Sequence, residues 1–197
     1  MNQIDFILAS GSPRRKSLCE EAGYRFLVDA SQVEEPRPVA FDHPESYAIM
    51  TAWTKAIDVA ARHPHELVLG ADTIVVSNEN QIIGKPLDRA DAQKILKTLM
   101  GTRHRVITGL CIVLPDRQGA IVDSVASQVE MKQLTPSQLA EHLESGRWEG
   151  KAGAYGIQDQ NDPFITLAEG SGSNVVGLPM EKLAELLAVA RRASCVS

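Results

Sequence analysis

The sequence predicts an α/β fold built on a mixed sheet, and three observations carry that prediction. Short apolar runs bounded by Gly, Pro, Ser and Asn alternate with stretches of helical spacing. A long hairpin interrupts the alternation, Arg105 to Leu114 and Ala120 to Lys132, turning at Pro115-Asp116-Arg117-Gln118-Gly119. An interposed hairpin gives a mixed sheet rather than a purely parallel one. The composition is globular: 197 residues, 44% hydrophobic and 23% charged, which excludes disordered, collagenous and coiled-coil chains. That length suits one domain over residues 1–197, or two lobes sharing a sheet.

Each element has its own signal. Ile4 to Ala9 is a buried strand that runs into Ser10-Gly11-Ser12-Pro13. Pro13 suits a helix's first turn, Ser12 is the expected N-cap, and Gly23 ends the helix. Tyr24 to Asp29 is a second strand, and Glu34 to Pro44 a proline-rich loop. Ser46 to Arg62 is helical. Leu67 to Ser77 is the most strand-like run, and Asn78-Glu79-Asn80 turns it into Gln81-Ile82-Ile83. Asp88 to Met100 is a helix with Asp88 as its cap. Thr135 opens another, with Gln138 completing a capping box. Gly150 to Asp162 is a glycine-rich loop, Phe164 to Ala168 a strand, Glu169 to Pro179 a glycine–serine loop, and Leu178 to Arg192 a closing helix.

Five segments carry candidate chemistry, one of them Glu169 to Pro179, a glycine–serine loop entering a helix and hence a second possible anion site. In Ser10-Gly11-Ser12-Pro13-Arg14-Arg15 a strand ends and a helix begins, so free N–H groups and the positive helix end favour an anion. Arg14 and Arg15 add donors suited to phosphate. Spacing alone equally allows a capped helix with two solvated arginines. Asp72, in Gly70-Ala71-Asp72-Thr73, is a carboxylate inside an apolar strand; burial without a partner costs several kcal/mol, so it needs a cation, a metal or a bend. Gly70 allows a bulge or a close ligand approach. Lys85, in Gly84-Lys85-Pro86, and Lys55, on a helix beside Trp53 and Ala56, read as solvated lysines when taken alone. In Lys151 to Asp159, small residues let backbone approach a planar ligand, Tyr155 can stack or pack, and Gln158 can read a base edge.

The strings LASGSPRR, GADTIV, GKP, KAGAYGIQ and NVVGLP, in this order and spacing, resemble the Maf family of nucleoside triphosphate pyrophosphatases, over nearly the whole chain. The resemblance implies one Maf-like domain with an elongated mixed sheet, flanking helices and two lobes around a cleft, similar to inosine-triphosphate pyrophosphatases. It implies hydrolysis of a nucleoside triphosphate to the monophosphate and pyrophosphate. Ser10, Ser12, Arg14 and Arg15 match the family's phosphate loop, Lys55 its helix lysine, and Lys85 its GKP lysine. Asp72 matches the catalytic aspartate and, with Glu35, the positions that hold Mg²⁺ or Mn²⁺. Arg14, Thr73 and Gln158 match the positions tied to substrate choice; ADT and GIQ are associated with dTTP and UTP, and modified uridine triphosphates fit the same chemistry. One departure stands out: Gly170-Ser171-Gly172-Ser173 lacks the aromatic that many relatives carry there. A homodimer is implied by the family alone. The rival reading is a nucleotide-binding regulator of cell division or septum formation.

Other classes fail on parts. With 20 Lys+Arg against 25 Asp+Glu the chain carries −5, which argues against nucleic acid as a partner. No apolar run of about 18 residues exists to span a membrane. Met1 to Ser10 contains Asp5 and no basic stretch, so no signal peptide is expected and the setting is cytoplasmic. Cys19 and Cys111 read as core residues, and Cys195 lies in a polar tail. The histidines His43, His63, His65, His104 and His142 sit in loop- or surface-like contexts without evident partners, and no GxSxG is present.

Overall fold

The computed structural model describes residues 4–35, 43–157 and 164–194. Its elements follow the expected order. They are β1 (Phe6–Leu8), α1 (Pro13–Glu21), β2 (Phe26–Val28), α2 (Pro44–Ala60), β3 (Val68–Val76), β4 (Ile82–Ile83), α3 (Arg89–Leu99), β5 (Arg103–Val113) and β6 (Ala120–Met131). Then come α4 (Pro136–Glu144), β7 (Ile165–Glu169), α5 (Gly172–Val176) and α6 (Met180–Ser194). The strands pair in the order β2-β1-β3-β5-β6-β7, with β4 on β3. The sheet is mixed, as the sequence predicts: β1 is parallel to β2 and β3, whereas β4 opposes β3 and β7 opposes β6. The β5–β6 hairpin forms too. Its ends are tied by Leu114 N–H donating to Gly119 O at 2.9 Å and Met131 N–H to Thr102 O at 3.0 Å.

The chain divides into two compact units, one of Met1–Asp72, Thr108–Val125 and Gly177–Ser197, the other of Thr73–Ile107 and Ala126–Val176. In the first unit the two faces of the sheet are covered differently. On one face Phe6, Leu8, Leu69, Ala71, Leu110 and Ile112 pack with Cys19 of α1 and Leu183, Leu186 and Leu187 of α6. On the other, Ile7, Val68, Cys111 and Val113 meet Ala52, Ala56 and Val59 of α2. The alternation follows from the period of two along each strand. The α2 face is built from alanines because the helix lies almost on the backbone. A Cβ at Gly70 would overlap the Ala52 carbonyl, and one at Gly109 would overlap the Ala48 backbone. Gly70 therefore serves a helix approach, not the bulge or ligand contact its sequence context suggested.

The second unit has its own core, in which Val75, Val106, Val129 and Met131 of the strands meet Leu96 and Leu99 of α3 and Leu139 and Leu143 of α4. Its helix caps form as written in the sequence. Asp88 accepts from Asp91 N at 2.8 Å. Thr135 and Gln138 make the reciprocal capping box. Three local readings change. Ser12 occupies the N-cap position of α1, yet its side chain makes no capping bond; Ser10 Oγ accepts from Ser12 N–H instead, at 3.3 Å. The glycine–serine loop contains the short helix α5, since Ser171, Ser173 and Asn174 bond among themselves and to Ser127. The side chains of His63, His65, His104 and His142 have partners, and two of them are core residues: His104 is 2% and His142 1% exposed.

Candidate functional site

Asp72 is where the strand pattern and the helix approach meet. Gly70 and Asp72 point to the same face of β3, two residues apart. On α2, Lys55 lies one turn from both Thr51 and Val59, beside the alanines that touch that face. The result is a direct ion pair, with Lys55 Nζ donating to Asp72 Oδ1 at 2.7 Å. The same Nζ lies 2.7 Å from Glu35 Oε1. The Lys55 side chain is 13% exposed and that of Asp72 8%, while Glu35 keeps 45%. Lys55 is thus no solvated helix lysine; α2 carries it onto the carboxylate that the strand buries.

Arg15 completes the charge balance. The residue is 9% exposed, and its guanidinium donates from Nε to Gly177 O at 2.8 Å and from Nη1 to Ser10 Oγ at 3.0 Å. These bonds tie α1 to the strand end and to the start of the Gly177-Leu178-Pro179 turn. Burial pushes the Asp72 carboxyl above the usual carboxylate range; the charges of Lys55 and then Arg15 oppose that, and Glu35 adds to it. Burial pulls the Arg15 guanidinium down, against the attraction of Asp72. Tyr47, buried on α2, is pushed up by burial first and by the Asp72 charge second, and it escaped the sequence reading because a helical tyrosine among alanines looks like core. Arg14 and Ser12 are half-buried at the start of α1. Ser10, Ser12, Arg14, Arg15, Glu35, Lys55 and Asp72 all belong to the first unit.

Three expected residues stand elsewhere. Thr73 follows Asp72 on the opposite face of β3 and belongs to the second unit. Lys85 is exposed in the turn after β4. Gln158 lies outside the described residues. The segment leading to it is well anchored within the second unit. Gly153 N–H donates to Gly84 O at 3.2 Å, which joins the glycine-rich segment to the Lys85 turn. His142 Nε2–H donates to Ala154 O at 2.8 Å, and His104 Nε2 lies 2.7 Å from the Tyr155 hydroxyl. Gly153 has φ +75°, and a Cβ there would strike the Tyr155 ring and Val75. Tyr155 therefore packs rather than offering a stacking face. Sequence reading missed both histidines because their partners are 51 and 12 residues away.

In a mixed α/β chain, a buried aspartate, a lysine and an arginine are thus gathered beside the strand–loop–helix start of α1. The chain belongs to the Maf family: residues 5–190 match the family described as Maf-like protein. It is 46% identical over 187 residues to a dTTP/UTP pyrophosphatase of Rhodopirellula baltica, covering 94% of this chain and 82% of that protein. Proteins of the same name from Rhodospirillum rubrum and Alkaliphilus metalliredigens are 42% and 41% identical; each match covers 92% of this chain, and 86% and 93% of those proteins respectively. Among the described residues no helix is long and apolar enough to cross a membrane.

Proposed function

We propose that this chain is a metal-dependent nucleoside triphosphate pyrophosphatase that converts dTTP and UTP to the monophosphate and pyrophosphate. The observation that carries the reading is Asp72, a carboxylate buried in a strand and held with Glu35 around one ammonium, that of Lys55. A protein that only bound a triphosphate for signalling would gain nothing from burying an anion beside it unless it also used a metal. Relatives 41–46% identical to it bear that activity in their names.

The donor set fits a hard divalent cation. Asp72 Oδ1 and Glu35 Oε1 each lie 2.7 Å from one point, the Lys55 nitrogen, so two carboxylate oxygens already converge. Among the described residues no group of three His, Cys, Asp or Glu side chains could hold a metal, so phosphate oxygens and water would complete the sphere. Asp72 and Glu35 would hold Mg²⁺ or Mn²⁺, which when bound neutralises phosphate charge and orients the triphosphate. The chain's own residues supply the rest. The α1 N-terminus and Arg14 bind phosphate oxygens. Lys55 neutralises charge on the leaving pyrophosphate, and Arg15 keeps Asp72 ionised. Asp72, its proton affinity raised by burial, accepts the proton of the water that attacks the α-phosphorus. Lys85 is assigned to phosphate, and Thr73 and Gln158 to the base, on the family motifs.

The net charge of −5 supports a free nucleotide, not a nucleic acid, as partner. Two buried free cysteines, Cys19 and Cys111, suit the reducing cytoplasm. A homodimer, testable by light scattering, completes the proposal. The deciding experiment measures pyrophosphate release from dTTP, UTP, CTP and GTP with Mg²⁺. Release from dTTP and UTP with chelator-sensitive turnover is expected; no release from any of them would end the reading.

A further inference from the structure

We infer that Lys55 is a resident cation that occupies the divalent-ion position until a nucleotide arrives, so that metal and triphosphate enter together. The inference rests on the proposed assignment of Asp72 and Glu35 to the metal. One ammonium touches both of the oxygens that an ion would need, at 2.7 Å each. Lys55 is the compact, mobile charge of the cluster, on a flexible four-carbon stem. Arg15 is the fixed one, its guanidinium bonded to Ser10 and Gly177. Among the described residues, Lys55 and Arg15 offset the charges of Asp72 and Glu35, so these four groups leave no excess negative charge to attract a metal. An ammonium and a divalent ion within contact distance of the same two oxygens repel each other strongly at low dielectric. The ion gains its ligands only as Lys55 leaves Asp72 and Glu35, and a triphosphate brings the anion that can receive the ammonium. The exchange preserves charge at every group: the ammonium passes from carboxylates to phosphate, and the ion takes the carboxylates. Linkage then requires that nucleotide raise metal affinity and metal raise nucleotide affinity by the same factor.

The test reads metal binding without turnover. Mn²⁺ binding to the wild type and to Lys55→Met is followed by calorimetry and by electron paramagnetic resonance, with and without a dTTP analogue whose α,β-bridge cannot be hydrolysed. Without the analogue, Lys55→Met should bind Mn²⁺ roughly tenfold or more tightly than the wild type, and the analogue should improve Mn²⁺ binding less in the variant. A second measurement needs no substitution. In the wild type, millimolar Mn²⁺ should speed acetylation of Lys55 by acetic anhydride, read on its peptide by mass spectrometry, relative to NaCl of equal ionic strength. Equal or weaker Mn²⁺ binding by a folded Lys55→Met would overturn the inference. So would a Lys55 labelling rate that Mn²⁺ leaves unchanged while the ion binds. Failure of both proteins to bind Mn²⁺ even with the analogue would instead overturn the metal assignment on which the inference stands.

Discussion

The backbone of Gly70 lies so close beneath Ala52 that a side chain at position 70 would overlap the Ala52 carbonyl oxygen. That approach sets the height of α2 above β3, and with it the 2.7 Å contact between Lys55 and Asp72. Gly70→Ala should therefore cost about 1–3 kcal/mol of stability, as overpacked interiors do. It should also lower activity beyond what the unfolded fraction explains, because the ion pair opens. Gly119→Ala, in the β5–β6 turn, is the control, since the nearest atom to a Cβ there is Leu114 Cδ1 at 3.8 Å. Urea melts of both variants, with pyrophosphate release assayed well below the midpoint, check the pair.

Asp72→Asn keeps the shape of the side chain and removes its charge. Turnover of dTTP should fall by about 10²-fold or more, the low end of what a general base contributes. Circular dichroism should show the fold intact. Near wild-type turnover would remove Asp72 from the chemistry.

The two neighbouring arginines should separate in their effects. Arg15 is buried and bonded to Gly177 and Ser10, so Arg15→Ala should cost about 1.5–3 kcal/mol, the range for hydrogen bonds to a charged group. Arg14→Ala, at a half-buried side chain, should lower the Tm less than Arg15→Ala does and raise KM for the triphosphate. Thermal melts beside Michaelis curves distinguish an anchor from a ligand; a large Tm loss in Arg14→Ala with unchanged KM would reverse the assignment.

His104 should give the fold an acid-sensitive step. Burial pushes its pKa down to about 4, well below the value of 6.5 for a free imidazole. The unfolded chain then binds the extra proton first, so stability is full above pH 6.5 and falls as the pH drops toward 4. The loss over that window should reach about 3 kcal/mol, because each tenfold difference in proton affinity between the folded and unfolded chain is worth about 1.4 kcal/mol. Urea melts at closely spaced pH values should show the decline. The double variant His104→Phe, Tyr155→Phe removes the group and its partner together and should flatten the curve in that window.

Base choice should reside in Gln158. The wild type should prefer dTTP and UTP over GTP, and Gln158→Ala should erode that preference by about 1–3 kcal/mol in kcat/KM, the cost of an unpaired polar group. Equal rankings in wild type and variant, measured across dTTP, UTP, CTP and GTP, would exclude this role.

The elements along the chain were legible because their signals are local. Apolar runs, the caps at Asp88 and Thr135, and the hairpin at Pro115–Gly119 are written within a few residues of where they act. Asp72 announced itself, since a charge in an apolar strand requires a partner wherever the chain goes. The identity of that partner was not legible. Lys55 reads as a solvated helix lysine, and only the close seating of α2 on Gly70 and Gly109 turns it inward. Arg15 had the spacing of a phosphate ligand, yet packing ties it to Gly177, 162 residues away. His104 and His142 looked like surface residues because nothing nearby in sequence answers them; Tyr155 and the Ala154 carbonyl do so across the unit. Sequence determined which groups carry charge and where strands and helices begin, because hydrophobic period and capping act over one or two turns. Tertiary structure alone decided which charges meet, because a buried ion pair depends on how near two backbones can approach, and here that distance is set by two glycines under a row of alanines.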